Sequence, residues 1–234
     1  MPNLQADLEA VALRLGADLY GVADLTPAHA ALSSWAGDLV IYPRSISVGV
    51  RLPGAVVDAL PRDDRAALQS YSQHAYQVIN QRLNLIASAL GSALQREGWR
   101  AFPVDASGTP YPDRLYGAFS HKMGARLAGL GWIGKSCLLV TPQFGPRVRW
   151  ATVLTDAPLE PTGSPIGDGC GACRQCVDIC PARAFTGRAF AEGEPRELRY
   201  DAHACQRYLE GRKDTVGEGV CGLCLYVCPY GRRG

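Results

Sequence analysis

The sequence predicts an α+β chain in two parts: a mixed helix-and-strand domain over residues 1–160, and a small cysteine-held domain over 161–234. Three observations predict it. Eight of the nine cysteines fall between Cys170 and Cys228. Ile46, Val48 and Val50 alternate with small residues as in a strand with one buried face. Val78, Ile79, Leu83, Ile86, Leu90 and Leu94 recur at helical spacing.

Taken in order, Leu4, Leu8, Val11, Ala12 and Leu15 share one helical face, capped by Asn3 and stopped at Gly16. A strand from Leu19 to Ala23 follows. Thr26 and Pro27 occupy the cap and first-turn positions of a second helix that turns Leu32 and Trp35 inward. The long amphipathic helix ends at Gly98. Ser120 to Leu127 reads as helix, and Cys137 to Thr141 and Val148 to Leu154 read as strands joined by the turn Pro142 to Pro146.

The cysteine runs carry the chemistry. Cys170-Gly-Ala-Cys173-Arg-Gln-Cys176-Val-Asp-Ile-Cys180-Pro181 has the bacterial ferredoxin spacing, in which three thiolates wrap one cubane and the fourth reaches to the other. Cys205 followed by Cys221-Gly-Leu-Cys224-Leu-Tyr-Val-Cys228-Pro229 repeats it with the leading cysteine displaced upstream. The crossing rule gives Cys170, Cys173, Cys176 and Cys228 to one 4Fe-4S cluster, and Cys180, Cys205, Cys221 and Cys224 to the other. A two-cluster bacterial ferredoxin-like domain that moves electrons is the result.

Structural zinc needs neither the third cysteine nor the proline. A disulfide framework needs an oxidising compartment, whereas Met1 to Gly16 has no basic start or long apolar core. Cys137 stands outside the pattern in an apolar run and is expected in the core. So short a cluster segment should depend on its metal for stability.

A net charge of +2 gives no argument for nucleic acid, despite a weakly basic tail at Arg232 and Arg233. No apolar stretch approaches the ~20 residues of a membrane span. A cytoplasmic protein is expected. His29, His74, His121 and His203 make no recognisable metal pair.

Gly129-Leu-Gly131-Trp-Ile-Gly134-Lys135-Ser136 contains a formal G-x-G-x-x-G. The dinucleotide fingerprint needs a strand before the glycines and a helix after them, because the helix N-terminus holds the pyrophosphate. Here the expected order is reversed. Two readings stand: a glycine-rich helix-to-strand turn, or a loop whose backbone approaches a bulky cofactor closely.

The segments Ala128 to Lys135, Gly145 to Asp156 and Tyr42-Pro-Arg-Ser45, with the two cluster runs in this order, resemble epoxyqueuosine reductase across essentially the whole chain. The resemblance implies a cobalamin on a nitroreductase-like α/β domain similar to that of reductive dehalogenases, with one cluster beside the corrin. It implies cofactor contacts from Arg44, Tyr76, Gly129, Gly131, Trp132, Gly134, Lys135 and Ser136. It implies a proton-donating acid at Asp105 in Val104-Asp-Ala-Ser107, with Asp113 and His121 as rivals because the insert Gly108 to Phe119 follows. A low-potential donor such as flavodoxin or ferredoxin, and a small or nucleoside-like substrate, complete the expectation. The family's helical-repeat domain, which helps hold tRNA, has no counterpart before Gly234, so a tRNA role is not carried over. A plain electron carrier and a corrinoid-reducing or corrinoid-processing protein are the alternatives.

Overall fold

A computed structural model describes residues 4–29, 39 and 41–232. The Asn3 cap, Leu32, Trp35 and Arg233 lie outside them. Along the described chain run α1 (Leu4–Arg14), β1 (Leu19–Asp24), β2 (Arg44–Arg51), α2 (Gly54–Asp58) and α3 (Arg65–Tyr71). A π-helical turn, Ser72–Val78, leads into α4 (Ile79–Arg96). Then come β3 (Ala101–Val104), α5 (His121–Leu127), β4 (Trp132–Ile133), β5 (Leu139–Val140) and β6 (Val148–Thr155). Three helices, α6 (Gln175–Asp178), α7 (Ala202–Val216) and α8 (Leu223–Tyr226), carry the cysteine runs.

These elements form two compact units interleaved along the chain. The first comprises 1–51, 79–131 and 149–166, and the second 52–78, 132–148 and 167–234. The linear division at residue 160 therefore misses two excursions, 52–78 and 132–148, that pack with the cysteine runs.

In the first unit a four-stranded sheet has the order β1-β2-β6-β3. β1 and β2 are antiparallel, Tyr20 opposite Val48, and β3 runs antiparallel to β6, Val104 opposite Thr152. Helices α1 and α4 cover one face and α5 the other. This corrects the reading of β2 as a strand with one buried face. Ser47, expected to face solvent, is fully buried, as is Ser45 on the same face, and a Cβ built on Gly124 of α5 would lie 3.0 Å from the Ser47 hydroxyl. Small residues on that face read as polar in sequence, but they are what lets the helix come close.

Helix α4 buries Leu83, Ile86, Leu90 and Leu94 and stops where Gly98 takes φ +84°, with Trp99 N–H bonded to the Leu94 carbonyl and Gly98 N–H to that of Gln95. That paired closure is the left-handed glycine C-cap. Two apolar positions depart from the pattern: Leu15 is 44% and Val78 37% exposed, each just beyond its helix. Thr26 to Ala28 forms a 3-10 turn, the described part of the expected second helix.

In the second unit β4 and β5 form their own antiparallel ribbon, Trp132 opposite Val140. The strand expected from Cys137 shrinks to two residues and pairs backwards with β4. Cys137 instead sits in the connecting turn at φ +55°, its N–H bonded to the Gly134 carbonyl. No helix among the described residues is long and apolar enough to cross a membrane.

Candidate cluster and redox site

The second unit gathers the cysteines into two sets, and the sets follow the crossing. The Cys176 thiol is pushed up to about 11, first by burial and then by the sulfurs of Cys170, Cys228 and Cys173. Burial also raises Cys228, with Cys170 and Cys173 adding to it. In the other set burial raises Cys221 and Cys205, and Cys180 is a neighbour of both. Cys224 is raised by burial, then by Cys221, Cys205 and Cys180, and last by Cys176 of the first set. The fourth cysteine of each run thus meets the other run's three.

Among the described residues no three His, Cys, Asp or Glu side chains close around a single metal ion. Each corner of a four-iron core takes a different sulfur, so four thiols are the complement of one such cluster. Thiols held up by burial must lose their protons to ligate, so loading iron releases protons.

Local structure fixes each sulfur. Asp168 caps the first loop by accepting the Cys170 N–H at 2.9 Å, and Cys173 N–H closes on the Cys170 carbonyl. The Cys180 sulfur accepts the Ala184 N–H at 3.4 Å. Asp201 caps α7 through the Ala204 N–H, which sets Cys205 on its first turn, and Gly217 at φ +83° ends that helix. Gly222, at φ +77°, lies so close to Leu60 and Tyr71 that a Cβ would meet them at 2.8 and 2.9 Å, which seats the Cys221 to Cys224 turn on the 52–78 excursion.

The other excursion braces the first loop. The Trp132 ring lies under Gly169, whose Cβ would fall 2.6 Å from it. Tyr230 meets Trp132 edge-on at 4.8 Å and donates its hydroxyl to the Gly169 carbonyl at 3.0 Å. Lys135 Nζ donates to the carbonyls of Gly171 and Cys173 at 2.6 and 3.1 Å. Arg147, 4% exposed, packs on Gly231 and pairs with Asp58 at 2.8 Å. The role of Tyr230 had no signal in sequence; Arg147 lies in the Gly145 to Asp156 segment, but nothing in that segment announces its partners Asp58 and Gly231.

Ser136 and Cys137 are buried in this ribbon, and Arg199 approaches the Cys137 sulfur at 3.9 Å. Cys137 is thus a core residue, as expected. Tyr76 is 38% exposed and packs edge-on against Tyr71 at 5.8 Å.

In the first unit Arg44 is held by the protein itself. It pairs with Asp24 at 2.8 Å and donates to the carbonyls of Leu159 and Pro43. Gly129 is a helix cap: at φ +78° it lets Leu130 N–H reach the Ala125 carbonyl while its own N–H reaches that of Arg126. A Cβ there would lie 2.9 Å from the Ser164 carbonyl oxygen. Helix α5 precedes the glycines, β4 lies between Gly131 and Gly134, and β5 follows them, the reverse of a dinucleotide site. The close backbone approach is real at Gly129 and Gly134, and the group approached is the chain itself: Ser164 in one case, Val140 and the Cys170 sulfur in the other.

Asp105 is exposed. Its carbonyl is 3.0 Å from His121 Nε2, and His121 Nδ1 is 2.8 Å from the Thr152 hydroxyl. Packing around the ring lowers the His121 pKa to about 4, with Arg149 and Lys122 acting in the same direction. Asp113 lies apart from this pair, in an exposed turn that Tyr111 and Tyr116 close by a bridge.

Residues 169–231 match the family model described as a 4Fe-4S double cluster binding domain. An epoxyqueuosine reductase of Listeria monocytogenes is 36% identical over 50% of this chain and 31% of its own length. One of Pseudomonas aeruginosa is 30% identical over 93% of this chain and 60% of its own. The chain therefore spans between 31% and 60% of the length of these curated relatives. Among solved structures, a catabolic reductive dehalogenase superposes with TM-score 0.72 over 97% of this chain and 31% of that one, at 21% identity. The epoxyqueuosine reductase of Streptococcus thermophilus gives 0.59 over 98% and 66%, at 18% identity. These likenesses establish the shared fold.

Proposed function

Since the chain is epoxyqueuosine reductase-like over 93% of its length, we propose that it is an iron-sulfur reductase. In this reading two 4Fe-4S clusters pass low-potential electrons to a cobalamin that reduces a small or nucleoside-like substrate. The observation that carries the proposal is the sorting of eight thiols into two crossed sets inside a matched double-cluster segment. Cys170, Cys173, Cys176 and Cys228 hold one cluster, and Cys180, Cys205, Cys221 and Cys224 the other.

Cobalamin enters from the relatives. One matching dehalogenase is described as acting by B12-dependent dehalogenation. The nitroreductase-like first unit is its proposed seat. Most of the residues expected from the sequence to line the pocket do not fit that role, because Arg44, Gly129, Trp132, Gly134 and Lys135 are taken up by the protein's own contacts. No corrin contact is assigned to them. When bound, a corrinoid would supply a redox-active metal centre for reductive chemistry at a carbon–oxygen or carbon–halogen bond.

For an epoxide, two electrons and two protons give an alkene and water. The chain's contribution is to deliver electrons through the clusters and a proton from an acid. Asp105 is the proposed donor, at the open end of the Thr152–His121–Asp105 chain. An epoxyqueuosine reductase of the same fold has been solved with an epoxyqueuosine-modified tRNA stem loop, which makes a nucleoside-bearing substrate the first to try. Flavodoxin or ferredoxin is the proposed electron donor.

Spectrophotometric titration of the anaerobically purified, cluster-loaded chain with cobalamin tests the reading. Saturable corrinoid bands that bleach on reduction support it. Cluster bands alone would leave an electron carrier, and reduction of cobalamin without turnover of any epoxide or halide would leave a corrinoid-processing protein.

A further inference from the structure

The glycine-rich segment ends at the first cluster loop, and its lysine has already chosen partners. Lys135 sits in the β4–β5 turn, which is itself closed by Gly134 N–H on the Leu138 carbonyl. From there Nζ reaches two carbonyls on either side of the Cys170–Cys173 turn, Gly171 at 2.6 Å and Cys173 at 3.1 Å. Three residues earlier, the Trp132 indole N–H is buried without an oxygen acceptor and lies beside the Cys170 thiol. The ribbon that carries both is fixed to the loop through Gly169, Tyr230 and the close approach of Gly134 to the Cys170 sulfur.

We infer that Lys135 is a positioning residue for the Cys170–Cys176 loop, and that its charge raises the reduction potential of the cluster held by Cys170, Cys173, Cys176 and Cys228. The inference rests on the two-cluster reading above. An ammonium is a compact point charge with three donors. Two of them hold the loop's carbonyls and polarise the peptide units that surround the cluster. A reduced cluster is one unit more negative than the oxidised one, so a fixed cation nearby favours reduction; net charge and hydrogen bonding are the protein's recognised levers on such potentials. The same bonds hold the loop in the conformation that presents its three sulfurs.

The test uses the full chain loaded anaerobically with iron and sulfide, without cobalamin, and follows both clusters by EPR during dye-mediated titration. K135M should retain about eight irons and lower one midpoint by about 59 mV or more, a tenfold change in a one-electron equilibrium constant. K135R, which keeps the charge, should recover most of that shift. In a C224S background, where the other cluster is lost, the K135M shift should persist. If K135M loads only one cluster, K135R must restore the second.

Unchanged midpoints in iron-replete K135M overturn the inference. So does a shift confined to the other cluster, or failure of K135R to restore. A wild-type chain that takes up about four irons or fewer would defeat the two-cluster reading instead, and that result is distinct from these.

Discussion

The backbone carbonyl of Asp105 and the ring of His121 are joined by a hydrogen bond of 3.0 Å, and that bond decides the histidine's tautomer. A carbonyl only accepts, so Nε2 carries the proton and donates it. Nδ1 is then bare and accepts from the Thr152 hydroxyl at 2.8 Å. A neutral, tautomerically fixed His121 holds the Asp105 backbone while leaving the carboxyl exposed. Under the proposed role of Asp105, His121 acts as a support for that residue.

Asp105→Asn keeps the shape and removes the acidic proton. Turnover should fall by about 10²-fold or more, with iron content and cobalamin titration unchanged. Gly108→Val reaches the same group sterically, since a Cβ there would lie 3.0 Å from that of Asp105, and should lower turnover with the acid still present. Wild-type rates in both variants, measured with an epoxide-bearing stem loop, would remove Asp105 from the reaction.

The His121 environment also predicts a pH dependence of stability. Folded His121 titrates at about 4, against about 6.5 in an unfolded chain. Between those values the unfolded state binds more protons, so stability rises with pH across the window and is lost as pH falls through it. The loss should reach roughly 3 kcal/mol at the acid end and level off below pH about 4. Chemical denaturation of wild type and His121→Gln at pH 7 and pH 4.5 measures it: the variant should show a much smaller acid sensitivity.

The crossed cysteine sets make a paired prediction. Cys180→Ser should damage the cluster of Cys205, Cys221 and Cys224, and Cys228→Ser that of Cys170, Cys173 and Cys176. Either loss should lower iron from about eight towards four, or yield a three-iron EPR signal. Cys137→Ser should leave both clusters intact. A Cys180→Ser chain whose disturbed cluster is the one sensitive to Cys173→Ser would show that the runs do not cross.

Gly129 is required for its backbone. Gly129→Val combines φ +78° with a Cβ 2.9 Å from the Ser164 oxygen, and strain of this kind costs about 1–3 kcal/mol per residue. Thermal unfolding should show a lowered Tm, and cobalamin affinity of the folded fraction should not change.

Elements governed by local chemistry were legible in the sequence. The ends of α1 and α4 follow from Gly16 and Gly98, and the double-cluster segment follows from the ferredoxin spacing of the runs between Cys170 and Cys228. What could not be read was set by packing between distant segments. Ser47 looks like part of the wet face of β2 until α5 is laid over it at Gly124. Arg44 and Lys135 each look like a free cation in a family motif. Their partners, the Leu159 carbonyl and the Gly171 carbonyl, are backbone atoms that no residue type announces. The glycine-rich segment was informative about close approach and silent about what approaches.

The cluster-bearing unit is assembled from three separate stretches, 52–78, 132–148 and 167–234. During synthesis, the first loop's brace at Trp132 and Lys135 emerges before the cysteines it holds, and Leu60 and Tyr71 wait for Gly222 far along the chain. Pairings of such wide sequence separation form late and slowly, because loop closure must precede the contacts that reward it. A fragment beginning near residue 161, cut as though it were a free-standing ferredoxin, would lack two of the three walls and should neither fold nor keep its clusters.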